Sequence, residues 1–159
     1  MSEVVQKLNS ADQAQVESRR KHLIAVLDAA ISPGATVLAL AEVGVTPADL
    51  AVAIGANPRT TASWLSETHP VIKKNRHKQR VRELKEVTRF IVDTGTIALQ
   101  EADWLRDPNR SADFSTPLEL IEEGRWREVG RIYCDEVAVE VPSIFRVDKE
   151  PRTAEVARP

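Results

Sequence analysis

Apolar residues recur along most of the chain at spacings of three, four and seven, the period of helices with one buried face, and strict strand-like alternation is scarce. Val16, Leu23, Leu27 and Ile31 form the first such stripe, which Ser10 and Gln13 open as a capping box. Ser32-Pro33-Gly34 closes it, because proline disfavours helix in the residue before it and glycine supplies turn conformations. A short helix is predicted over residues 35–43, and Gly44 breaks it. Thr46-Pro47 restarts the chain with a hydroxyl N-cap and a proline at the first helical position, where its missing N–H costs nothing. That helix runs to Ile54; Pro58 starts another that runs to Ser66, and His69-Pro70 ends the unit. Residues 73–93 read as a longer helix with Val81, Leu84, Val87 and Ile91 on one face and Gly95 as its stop. Residues 97–105 read as a helix and 106–115 as a loop. Thr116-Pro117-Leu118-Glu119 repeats the design of Thr46, and Gly124 precedes a last helix with Trp126, Val129 and Tyr133. After Glu136 the pattern changes to Val137, Val139 and Val141 in alternation, punctuated by prolines, which predicts an extended tail.

The expected fold is therefore all-α, with an N-terminal helix over residues 1–34, a unit of short helices and a following basic helix over 35–95, a small helical C-terminal domain over 96–136, and the tail over 137–159. Composition agrees: 42% of the 159 residues are hydrophobic, enough for a core, while only seven are Phe, Tyr or Trp. The single cysteine, Cys134, excludes an intramolecular disulfide, and His22, His69 and His77 lie too far from it to suggest a zinc cluster, so no metal is expected. No apolar run suits a signal peptide or a membrane span, so the expectation is a cytoplasmic protein without a membrane partner. The formal charge of −2 divides into +3 over residues 1–95 and −5 over 96–159, which predicts different partners for the two halves.

Residues 46–66 have the makings of a helix-turn-helix. Two short helices that cross closely need a small residue in the first, a permissive turn residue, and apolar residues that lock them together. Ala51 stands four residues before Gly55, Leu50 and Ile54 form the inner face of the first helix, and Trp64 with Leu65 that of the second. The second helix is then the recognition helix for a double-stranded DNA operator, with its N-terminus favouring a phosphate and Asn57, Arg59, Thr60, Thr61 and Ser63 facing base edges. Arginine pairs with guanine, asparagine with adenine, and threonine bonds a phosphate or touches a thymine methyl. An ordinary helical hairpin with a polar outer face has the same pattern. The basic run beyond the hairpin weighs against that alternative: Lys73, Lys74, Arg76, Lys78, Arg80 and Arg82 occur between residues 71 and 82 with no carboxylate, which suits a stretch beside a phosphate backbone.

The run Ala102-Asp103-Trp104-Leu105-Arg106-Asp107-Pro108-Asn109, then Thr116-Pro117-Leu118-Glu119-Leu120-Ile121, then Gly124-Arg125 and Val129, resembles the toxin-binding domain of Xre/MbcA/ParS-type antitoxins. In that family a helix-turn-helix precedes a small helical domain with a W-L-x-x-P-N loop and a T-P-L-E/D helix start. The resemblance covers residues 46–133. It implies a repressor of its own operon that sequesters a cognate toxin, commonly a RES-domain enzyme that consumes NAD. Trp104, Pro117 and Leu118 suit a fold role, and the loop residues Asn109, Arg110, Asp113 and Phe114 suit contact with a partner. A temperate-phage immunity repressor without a toxin, and a pure interaction protein, remain open alternatives.

The usual signatures of catalysis are missing: no glycine-rich phosphate loop, nucleophile elbow or paired histidine spacing occurs, so neither an enzyme nor a cofactor is expected. Cys134 beside Tyr133 reads as core, and Asp135-Glu136 as the acidic end of a solvated helix. The apolar residues of the tail need a cover, which predicts packing on the protein's own helices or on a second subunit through Phe145, with a homodimer among the expected partners and a toxin cleft as the other candidate.

Overall fold

The computed structural model describes residues 10–94, 102–109 and 112–146, and the side chains from Gln13 onward. Among the described residues the chain is all-helical: α1 (Ser10–Ala29), α2 (Pro33–Val43), α3 (Pro47–Ile54), α4 (Pro58–Leu65), α5 (Asn75–Thr94), α6 (Asp103–Arg106), α7 (Pro117–Glu122) and α8 (Trp126–Val137), then a 3-10 turn at Ser143–Phe145. Four helices begin alike. Ser32, Thr46, Asn57 and Thr116 are N-caps whose side-chain oxygens accept a first-turn backbone N–H, and each is followed by proline. Ser32-Pro33 thus starts α2, two residues before the predicted position, as well as ending the preceding turn. Thr46 and Thr116 complete capping boxes with Asp49 and Glu119.

The core is continuous from α1 to the 3-10 turn, and α5 is its centre, in contact with α1, α2, α3, α7 and α8. Val81, Leu84, Val87 and Ile91 are buried along α5 as the spacing predicts. Each contributes about 1.5–3 kcal/mol of transfer free energy. Leu23 and Leu27 pack α1 onto this core, whereas Ile31 is 86% exposed. The predicted stripe overran the helix: α1 ends at Ala29, so position 31 follows the connecting turn and no longer the helical period. Polar links tie α1 down, with Lys85 Nζ donating to the Ala30 carbonyl at 2.8 Å and Arg89 gripping Asp28 at 2.6 and 3.1 Å. The guanidinium of Arg89 holds the Asp28 carboxyl below the usual range.

Several expected features lie wholly or partly outside the described residues: residues 1–9 and the side chain of the Ser10 cap, Gly95, most of the helix over 97–105, Arg110, and the tail over 147–159. The predicted loop over 106–115 contains a short antiparallel bridge from Asn109 to Ser115. The tail is irregular: α8 ends at Ala138 in the left-handed conformation, and no strand forms among the described residues of the Val137–Val141 alternation. Phe145 is fully buried, edge-on to Phe90 and Trp126 with centroids 5.1 and 6.0 Å away. Phe145 is therefore covered by the protein's own helices, whereas Val137, Val139 and Ile144 stay exposed, and the notion of Phe145 as a partner contact does not survive, because it has no exposed surface. Gly130 makes the seat; a Cβ there would overlap the Phe145 ring.

Two outcomes are expected from this packing. Gly130→Ala should destabilise by about 1–3 kcal/mol through overpacking, despite the better helix propensity of alanine, and adding Phe145→Ala should cost less than the sum of the two single changes. Additive denaturation midpoints would show that ring and glycine do not meet. Thr88→Val should have the opposite sign: the Thr88 hydroxyl is buried without a hydrogen-bond partner among the described residues, so its replacement by a methyl should raise stability by about 1 kcal/mol, or roughly 2–4 °C in Tm. A lower Tm for the variant would mean that the hydroxyl has an acceptor.

Candidate nucleic-acid interface

α3 and α4 form a tight pair joined by Gly55-Ala56-Asn57. Gly55 takes φ of +77°, which caps α3 and is readily open to glycine alone, and its N–H returns to the Ala51 carbonyl. Leu50, Ile54 and Trp64 lie inside, as the spacing predicts. Thr61 joins them. It is fully buried, and its hydroxyl lies 2.7 Å from the Pro47 carbonyl and 3.0 Å from that of Pro58. Its expected place at base edges is thereby corrected: it locks α4 onto the first turn of α3. The spacing holds the signal that identifies it, since residue 61 is one turn before Trp64 and shares its face.

Arg59, Thr60 and Ser63 are exposed on the opposite side of α4, where the sequence places them. Asn57 is exposed too, but its Oδ1 accepts the Arg59 N–H at 2.7 Å, so in this rotamer it serves as the cap and the two-point adenine contact is not available. The first turn of α4 is also poorer in free donors than expected of a phosphate site. Pro58 has no N–H, Arg59 N–H is used by the cap, and Thr60 N–H goes to the Asn57 carbonyl at 2.9 Å. Anion contacts here fall to side chains.

The basic residues beyond α4 divide into two groups. Lys73 and Lys74 are exposed and Lys78 half-buried, and none has an ion-pair partner among the described residues. Arg76 and Arg80 are turned inward to the C-terminal half. Arg76 Nη2 lies 2.7 Å from Glu122 Oε2, while Arg80 donates to the Glu122 carbonyl at 3.0 Å and pairs with the buried Glu83 at 3.0 Å. The prediction that Arg80 faces a phosphate is corrected, since its side chain is only 14% exposed. Arg76 keeps 58% exposure but is already paired. Glu122 lies beside the turn as well, its Oε2 3.0 Å from where a Cβ on Gly55 would stand.

The C-terminal motif converges on a residue that sequence reasoning left in solvent. Glu136 accepts from Trp104 Nε1 at 2.8 Å and from Asn109 Nδ2, which ties α6 and the loop to the end of α8. Asn109 is buried and also accepts the Ala112 and Phe114 N–H groups on its carbonyl, so it braces the loop and does not face a partner. Asp113 and Phe114 remain exposed, both with positive φ, and Phe114 is 65% accessible. Arg106 reaches back to the helix pair, with bonds of 3.0 Å to both Asp49 oxygens and 2.6 Å to the Gly44 carbonyl. Cys134 is fully buried and burial pushes its thiol up, the reverse of what a nucleophile needs. Among the described residues no cluster of His, Cys, Asp and Glu could hold a metal ion, and no helix is long and apolar enough to cross a membrane.

Comparison of the chain with protein-family models, curated proteins and solved structures finds no match.

His77 stands where the basic run meets α4, edge-on to Trp64 at 5.8 Å. Desolvation, with smaller contributions from Lys74 and Arg76, lowers its pKa below the ordinary value of about 6.5. The unfolded chain therefore takes up this proton first as pH falls. Stability should decline from about pH 6.5 down through the folded pKa, and His77→Gln should remove that part of the decline. Urea midpoints at pH 7.5 and 5.5 for both proteins test this, and equal losses would exclude His77 as a source.

Proposed function

We propose that the chain is a sequence-specific DNA-binding transcriptional repressor in which α3 and α4 form a helix-turn-helix and α4 enters the major groove. The observation that carries this reading is the two-sidedness of α4. Thr61 and Trp64 are committed inward, whereas Arg59, Thr60 and Ser63 are exposed and are succeeded by Lys73 and Lys74, which have no ion-pair partner among the described residues. Such an arrangement supplies a base-reading row with phosphate contacts beside it. Arg59 reads a base, Thr60 and Ser63 contact base edges or phosphates, and Lys73, Lys74 and Lys78 neutralise backbone charge.

The biological setting we propose is the antitoxin of a type II toxin–antitoxin pair that represses its own operon, acting without a cofactor and without catalysis. The resemblance of the Trp104–Asn109 and Thr116–Ile121 stretches to the antitoxin family supports it, as does Phe114, an exposed aromatic on a braced loop where a protein partner such as a RES-type toxin fits. Co-purification with the product of a neighbouring toxin gene, lost on Phe114→Ser, is the expected result. Retention of the pair by that variant would remove Phe114 from the contact.

Selection from a random duplex pool should yield a defined operator. Arg59→Ala should then weaken binding by about 1–3 kcal/mol and relax preference at one base pair. Replacing Lys73 and Lys74 by glutamine should weaken all sequences alike and lower the salt slope by about 2. Failure of the wild type to enrich any sequence, or an Arg59→Ala variant with unaltered preference, would overturn the assignment of α4.

A further inference from the structure

On the far side of the α7–α8 turn, the outer face of α8 and the 3-10 turn enclose a groove of about 580 Å³. Its walls carry Arg125, Arg127, Arg131 and Arg146 against a single carboxylate, Glu128. Arg125 is used up: it makes two 2.9 Å bonds to Glu128 and one of 3.0 Å to Glu123. The other three have no carboxylate partner among the described residues. Arg127 lies 4.4 Å over the Trp126 ring, Arg131 donates to the Phe145 carbonyl at 2.7 Å, and Arg146 donates to the Val141 carbonyl at 3.2 Å. Carbonyls and a ring face orient a guanidinium without cancelling its charge, and each fork retains free N–H donors. Three positive charges without a carboxylate partner among the described residues thus line one groove within the half of the chain that carries −5 overall.

The groove borders α5. Gly124 forms part of its wall, and a Cβ there would stand 3.2 Å from Arg80 Nη2. Arg76 and Arg80 both donate to the Glu122 carbonyl, two residues earlier. The groove thus meets α5 at the Glu122–Gly124 turn, where Arg76 and Arg80 are already paired with Glu122 and Glu83, so its own positive charge is that of Arg127, Arg131 and Arg146. Guanidinium forks match phosphate oxygens in two-point bonds, and an open groove lined by three such forks suits an extended polyanion better than an enclosed small molecule.

We propose that this groove holds the phosphate backbone of duplex DNA flanking the operator, as a second contact surface beyond α4 and the start of α5. The inference rests on the DNA-binding reading above. It assigns Arg127, Arg131 and Arg146 to sequence-independent contacts.

The test uses the full chain with the duplex selected from the random pool, alone and extended by ~10 bp, or one helical turn, at each end. Wild type should bind the extended duplex more tightly and with a steeper salt dependence. Arg127→Gln with Arg146→Gln should abolish that gain and reduce the slope on the extended duplex by about 2, with base preference and Tm retained. Lysine at both positions should restore the slope. Wild-type binding with an unchanged slope in the double variant overturns the groove contact alone. Inorganic phosphate or an acidic peptide that binds the groove, with DNA affinity indifferent to the substitutions, also overturns it in favour of that ligand. A wild type without salt-dependent DNA binding overturns the repressor reading and this inference together.

Discussion

The architecture depends on α5 being apolar on the sides where helices approach it and basic where it begins. A helix of twenty residues can contact α1, α2, α3, α7 and α8 only if its buried surface is wider than a single stripe. Val81, Leu84, Val87, Thr88, Ile91 and Val92 provide that width, and it brings two charged or polar groups into the interior. Glu83 is reconciled with burial by Gln79 and Arg80, each at 3.0 Å. Thr88 is not, and its hydroxyl, without a partner among the described residues, is the cost of packing on so many sides. The first turns of α5, residues 75–79, escape this demand because none of them is buried; Lys78 lies there, and Lys73 and Lys74 just before.

Asp49 transmits that order to the candidate interface. Its carboxylate completes the capping box that starts α3, accepting Thr46 N–H at 2.9 Å, and also receives the Arg106 guanidinium from the Trp104 motif. Arg106 further satisfies the Gly44 carbonyl at the end of α2. One buried acid therefore sets the entry of α3 and fixes the C-terminal motif against it, while Thr61 fixes α4 against α3. The residues that the resemblance marks as a motif, Trp104 and Asn109, work in the same manner at the other end of the module by meeting on Glu136.

Range in sequence decided which features were legible before the fold was known. X-Pro caps are local chemistry, so the starts of α3, α4 and α7 could be read directly, and so could the stripe of α5. Ser32-Pro33-Gly34 was ambiguous because the same three residues that stop one helix start the next. The roles of Arg76, Arg80, Asn109 and Glu136 were hidden because their partners lie 27 to 46 residues away. A run without local carboxylates does not reveal that Glu122 folds back onto it. Thr61 was legible in principle from its one-turn spacing to Trp64, but its residue type suits DNA equally well and obscured the face it occupies. For Phe145 the seat, Gly130, is visible as a glycine in a helical stretch, yet nothing local links it to a phenylalanine beyond Pro142.

The ion pairs across the molecule differ in weight, and exposure decides which matter. Arg125 with Glu123 and Glu128 lies in solvent, and such pairs contribute little because water and salt screen them. Asp28–Arg89 is half exposed and belongs to the same class. Asp49 is 9% exposed, so removing Arg106 would strand a desolvated carboxylate and cost more than the net worth of the pair, as is general for buried charges. The desolvated charge pairs are thus Arg106–Asp49, which positions α3, and Arg80–Glu83 on α5, while the weakly held charges lie on outer surfaces. Hydrophobic burial around α5 supplies most of the stability, and the buried acid supplies orientation. This leaves the outward row of α4 as a surface whose direction is set by contacts it does not itself make.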